Sequence, residues 1–193
     1  MRGVVLAVGL ALAFAAGAGK AGAQGMAEIR FDSIEFDSID GGAMGADWAG
    51  RPVLVANTAS LCGYTPQYAE LQALHDAYKD RGLVVVAVPS DSFNQELGSD
   101  EEVRDFCQLN YGLDLPMAKT TAVRGEDAHP FYARLREEAG WEPRWNFNKV
   151  LVGADGAVLG TWGSGASPTG PEIRAAVEAA LASAGAPSGA SGS

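Results

Sequence analysis

Leu83-Val-Val-Val-Ala-Val88 is a run of apolar residues in which every residue but Leu83 and Ala87 is β-branched. A strand of this kind has no face to show to water, so it predicts a central strand covered on both sides. Pro52 to Ala56 reads as a second, short apolar strand. Between them, Pro66 to Lys79 reads as a helix, with Thr65 placed to cap it and Pro66 in its first turn. Tyr68, Leu71, Leu74 and Tyr78 recur at helical spacing and are expected to face the core. Ser99-Asp100-Glu101-Glu102 opens the next helix, with acids at the positive end of its dipole. Ala128 to Glu138 makes a third helix, and Pro171 to Ala184 a last one. Val150 to Val152 and Ala157 to Trp162 read as a hairpin turning at Asp155-Gly156. Ile29 to Ile39 reads as a small N-terminal hairpin, broken by Gly41-Gly42. The pattern is α/β: a central sheet with helices on its faces and no internal repeat.

The 193 residues, 47% of them hydrophobic, suffice for one domain with a real core. The formal charge of -10 disfavours phosphate backbones and anionic lipid, so no nucleic-acid partner is expected. At the N-terminus, Arg2 precedes an apolar run from Gly3 to Ala18, and Ala21-Gly22-Ala23 supplies a small-x-small cleavage site. Residues 1–23 therefore read as a secretory signal peptide removed after Ala23, which places the mature protein in the periplasm. Residues 24–184 form the expected domain. The stretch 185–193, built only from Ala, Gly, Ser and Pro, is expected to be a flexible tail.

The chain has two cysteines, Cys62 and Cys107. In an exported protein such a pair first suggests a disulfide, worth about 4 kcal/mol for a loop of this length. No metal site is expected: the only histidines are His75 and His129, and there is no C-x-x-C spacing. The setting of Cys62 suggests another role. It stands beyond a strand end, three residues ahead of the helix start at Thr65-Pro66, where unpaired N–H groups and the helix dipole favour an anion. Its neighbours Ser60, Gly63 and Thr65 are small or polar, so its sulfur is expected to be approachable. Cys107, by contrast, shares a helical stripe with Val103 and Phe106, with Leu109 nearby. It reads either as a small core hydrophobe or as a thiol that meets Cys62 once its helix moves.

Asn57-Thr-Ala-Ser-Leu-Cys62-Gly-Tyr-Thr-Pro-Gln-Tyr68 resembles the active-site signature of glutathione peroxidases. Gly98 to Val103, Phe106 to Gly112, Ala128 to Tyr132 and Trp145 to Phe147 resemble further motifs of that family, in its order and close to its spacing. The resemblance runs from about Phe31 to Leu181. It implies a thioredoxin-like fold with a mixed central sheet and an N-terminal β-hairpin. It also implies a catalytic set that falls here on Cys62, Gln95, Trp145 and Asn146. A thiolate would attack one peroxide oxygen, while the Trp145 indole and the Gln95 and Asn146 amides supply donors to the reacting oxygens. Cys107 falls in the segment that carries the resolving cysteine in thioredoxin-dependent members, about one residue away from theirs.

Two departures stand out. The loop Ser90 to Gly98 is one residue shorter than the family's and lacks its first cysteine, and Leu61 replaces a common lysine. The short stretch from Glu138 to Arg144 resembles that of monomeric members. The resemblance thus implies a cofactor-free peroxidase acting on hydrogen peroxide or organic hydroperoxides through a Cys62 sulfenic acid and a Cys62–Cys107 disulfide. A thioredoxin-like donor or another thiol would recycle it. The alternative is a redox sensor that passes oxidation to a partner protein.

Overall fold

A computed structural model describes residues 28–185. The expected signal peptide and residues 186–193 of the expected tail lie outside them. The hairpin β1 (Phe36–Asp37) and β2 (Ala43–Met44) comes first, then β3 (Val53–Thr58), α1 (Gln67–Tyr78), β4 (Val84–Pro89) and α2 (Asp100–Tyr111). They are followed by α3 (Pro130–Ala139), β5 (Lys149–Val152), β6 (Val158–Trp162) and α4 (Pro171–Gly185). Gly41 and Gly42 do not break the first hairpin. They turn it, because both adopt the positive φ that its tight connection requires.

The main sheet has the order β4-β3-β5-β6, with β3 parallel to β4 and antiparallel to β5. The interior strands are therefore β3 and β5, and the apolar run expected at the centre, β4, lies at one end of the order. Its two faces are covered by the two core layers, as expected, and its outer edge is closed as well. Residues 116–121 run along its outer edge as a strap, with Ala87 N–H donating to Pro116 O (3.0 Å), Ala118 N–H to Ala87 O (2.9 Å) and Thr121 N–H to Pro89 O (2.9 Å).

Strand alternation sorts the core into two layers. Leu54, Ala56, Val85, Ala87 and Leu151 pack with α1, α2 and α4. Val53, Val55, Val86, Val88 and Val150 pack with α3 and the N-terminal aromatics Phe31, Phe36 and Trp48. Ser99 caps α2 as expected, accepting the Glu102 N–H at 3.2 Å. The β5–β6 connection turns at Gly156, whose φ is +87°. A Cβ there would come within 2.9 Å of Ile29 O, so only glycine fits. Leu109 does not join the stripe of Val103 and Cys107; it is 85% exposed. Among the described residues no helix is long and apolar enough to cross a membrane.

Candidate active site

Beyond the end of β3 the chain folds into a tight turn around Cys62. Thr65 was expected to cap α1, but its hydroxyl serves the turn instead. It accepts the Cys62 N–H at 3.1 Å and lies 2.6 Å from Cys62 O and 2.9 Å from Ala59 O. The carbonyls of 59 and 62 are close to that hydroxyl, whereas α1 starts from Pro66 with no side-chain cap. The Tyr64 N–H donates to Cys62 Sγ at 3.4 Å, a fixed dipole well placed for a sulfur carrying negative charge. The sulfur is less open than its small neighbours suggest: Cys62 is only 8% exposed, while the flanking Leu61 is 59% exposed.

The loop after β4 is fastened to this turn by consecutive amides. Leu61 N–H donates to Gln95 O at 2.9 Å, and Ser60 N–H donates to Glu96 Oε1 at 2.9 Å. Glu96 is buried and also accepts the Leu97 N–H. Burial pushes its carboxyl up, against the opposing pull of those donors. Asn94 takes the left-handed conformation (φ 54°), a backbone state that asparagine tolerates. It leads directly into Gln95.

Residues 145–148 form the third wall. Asn146 is buried and its Nδ2 donates to Gln95 Oε1 at 3.1 Å, leaving the Gln95 Nε2 group as a donor. Its own Oδ1 has no partner among the described residues. Trp145 is 40% exposed, so it is no core aromatic; its ring packs on Phe93 with centroids 5.3 Å apart. Arg124 in turn lies over Phe93. Phe147 sits at φ +59°, an uncommon state for a bulky residue. That geometry is held by Asn57 of β3. Asn57 O accepts the Phe147 N–H at 2.6 Å, its Nδ2 donates to Trp145 O at 3.0 Å, and its Oδ1 accepts the Asn148 N–H at 3.1 Å.

Cys62, Gln95 and Asn146 thus stand on three loops joined by hydrogen bonds, with Trp145 at the rim. Cys107 is placed differently. It is a free thiol, as is Cys62, and it is fully buried on the inner face of α2. Burial pushes its thiol up to about 12, and the nearby Tyr68 hydroxyl offsets only part of that. Tyr68, itself buried, packs on Tyr111 one turn beyond Cys107 (centroids 5.5 Å). Reading the sequence assigned no role to Asn57 or Glu96. Only Asn57 left a signal, as a polar residue ending an apolar strand. His75, Asp76 and Asp114 place ligand-type atoms together, but the Lys79 ammonium occupies that cluster, 2.8 Å from Asp76.

A family model described as Glutathione peroxidase matches residues 32–136. The matched span includes Cys62, Gln95 and Cys107 and ends before Trp145. The chain is 38% identical over 144 residues to Glutathione peroxidase-like peroxiredoxin 2 of Saccharomyces cerevisiae, covering 72% of this chain and 83% of that one. It is 36% identical over 160 residues to Thioredoxin/glutathione peroxidase BtuE of Escherichia coli, covering 70% of this chain and 87% of that one. The crystal structure of T. cruzi GPX1 superposes with a TM-score of 0.62 at 25% identity, over 79% of this chain and 97% of that one.

Proposed function

The chain belongs to the glutathione peroxidase family, and we propose that this thiol peroxidase works through Cys62, with Gln95, Trp145 and Asn146 as its donors and Cys107 as its resolving thiol. In the first step the Cys62 thiolate attacks one oxygen of hydrogen peroxide or an organic hydroperoxide. A sulfur–oxygen bond forms, the O–O bond breaks, and the departing oxygen takes a proton to leave as water or an alcohol. Cys62 is left as a sulfenic acid. In the second step the Cys107 sulfur displaces the hydroxyl group as water and a Cys62–Cys107 disulfide forms. A dithiol protein of the thioredoxin type then reduces that disulfide by exchange.

The observation that carries this reading is the hydrogen bond from Asn146 Nδ2 to Gln95 Oε1, in a loop whose Gln95 carbonyl is bonded to the Cys62 turn. It leaves the Gln95 Nε2 group uncommitted, on a loop tied to the residue next to Cys62. Peroxide consumption with thioredoxin as donor tests it: Cys62→Ser is expected to be inactive, and Cys107→Ser to complete one oxidation and then stall. Full activity of Cys62→Ser would overturn the reading, and normal turnover of Cys107→Ser would remove the resolving role.

One observation favours a second reading, a sensor that passes oxidation to a partner protein. The buried Cys107 thiol, pushed up to about 12, is a poor nucleophile where it sits. A sulfenic acid at Cys62 would persist and be open to another protein's thiol. A mixed disulfide with one specific protein, trapped in Cys107→Ser, would support it. We also propose that residues 1–23 direct export to the periplasm and that the enzyme works there as a monomer. Mass spectrometry of the mature N-terminus checks the first, with an intact Met1 as the contrary result, and light scattering checks the second.

A further inference from the structure

Lys149 is completely buried, and nothing in the chemistry above uses it. A buried ammonium is costly unless its donors are met. Here all three are. Nζ donates to Gln67 Oε1, to Ala166 O at 2.7 Å and to Ser164 O at 3.4 Å. Those acceptors come from the first turn of α1, which follows the Cys62 turn, and from the loop between β6 and α4. Gln67 Nε2 adds a bond to Ser164 O at 2.7 Å. Ser164 then reaches the site: its hydroxyl donates to Asn146 O at 2.6 Å and accepts from Asn148 Nδ2 at 3.1 Å. Asn148 Nδ2 also donates to Trp145 O at 3.0 Å.

We propose that Lys149 is a positioning residue for the peroxide-reducing step, its ammonium locking α1 to the 163–167 loop so that Ser164 holds the Asn146 backbone opposite Gln95. The inference rests on the assignment of Cys62 and Asn146 made above. An apolar side chain would leave Ser164 O, Ala166 O and Gln67 Oε1 without their shared donor. A neutral amine has one N–H fewer than the ammonium, so it cannot serve all three acceptors. Burial pulls Lys149 down to about 8, against the opposing charge of Glu70. Glu70 is the group of α1 whose charge acts on Lys149. The strand partners Ala56 and Trp162 carry no charge, the loop 163–170 has no ionisable side chain, and Glu172 of α4 is bonded to the Trp162 indole at 3.0 Å.

The test is rapid-mixing oxidation of the full chain by hydrogen peroxide, followed by tryptophan fluorescence from about pH 6.5 to about 9.5. The wild-type rate is expected to fall on the alkaline side of about 8, a limb opposite in sign to thiolate formation. Lys149→Met is expected to react about tenfold or more slowly at neutral pH and to lack that limb. Ser164→Ala, which cuts the link to Asn146 and keeps the lysine, is expected to do the same. A folded Lys149→Met with the wild-type rate and pH profile overturns the inference, even if it melts earlier. Should Lys149→Met fail to fold, a wild-type rate in Ser164→Ala overturns it instead. Cys62→Ser separates the two levels. If it is inert while both variants react normally, only the lysine's role fails; if it reacts normally, the active-site assignment fails first.

Discussion

Replacing Asn57 by Ala tests how firmly the Trp145–Asn146 loop is held. The side chain is buried and makes two hydrogen bonds, to Trp145 O and from the Asn148 N–H. They are not equal. Trp145 O keeps a second donor, Asn148 Nδ2 at 3.0 Å, so its loss is near the net value of one bond, about 1 kcal/mol. Among the described residues the Asn148 N–H has no other partner, so it becomes an orphan in a buried site, at about 1–3 kcal/mol. The sum is about 2–4 kcal/mol, which for a domain of this size lowers the melting temperature by about 4–16 °C. Urea unfolding is the assay, with the midpoint expected to fall and the slope unchanged. Oxidation of Cys62 should slow as well, because Phe147 would lose side-chain support on both sides of its strained φ. A variant within about 0.5 kcal/mol of wild type would show that the Asn57 side chain does not hold the loop.

Glu96 and Cys107 give two more expectations. The fold raises the Glu96 carboxyl above its ordinary value of 4.5, with burial as the main cause, so the native state binds that proton more tightly than the unfolded chain. Raising the pH from 4.5 through the raised native value therefore removes stability, and lowering it restores it. Glu96→Gln keeps an acceptor for Ser60 and Leu97 and abolishes the titration, so paired urea melts should show its advantage over wild type growing as the pH rises across that range; a constant difference would refute the reasoning. For Cys107, full burial and a thiol pushed up to about 12 predict alkylation by iodoacetamide in the native protein about a thousandfold slower than at an unstructured cysteine. Mass spectrometry after timed quenching reads this directly, and equal labelling of Cys62 and Cys107 would contradict it.

What could be read from the sequence was local. The Ser99 cap, the Asp155-Gly156 turn and the buried face of α1 depend on neighbours a few residues away, and all are found. The place of β4 in the sheet was not legible, because its outer edge is closed by backbone amides of residues 116–121, which carry no side-chain signature. Thr65 illustrates the same limit. Whether its hydroxyl caps a helix or braces a turn depends on where the carbonyls of 59 and 62 arrive. At the site, Cys62 stood out by its position and Gln95 and Asn146 by motif. Lys149 did not, and Asn57 showed only as a polar residue after an apolar strand, since their partners lie far along the chain: Asn57 bonds a residue 88 positions away and Lys149 one 82 away. A lysine in a short strand reads as a solvated residue until its acceptors are seen.

The strap on the edge of β4 has a mechanical consequence. Because residues 116–121 complete the sheet, α2 is not needed to close it. The helix is secured by its buried residues Val103 and Cys107, by its Ser99 and Gly112 ends, and by the Thr120 N–H donating to Asp100 Oδ1 at 2.8 Å. Lifting it would break those fastenings and leave the strand ladder whole. A part fastened this way would open as a sub-global unit, at a free energy below that of unfolding the domain. The lifetime of Cys107 in hiding and the melting point of the protein are then separate quantities. Substitutions on α2 can change the first while the sheet keeps the second.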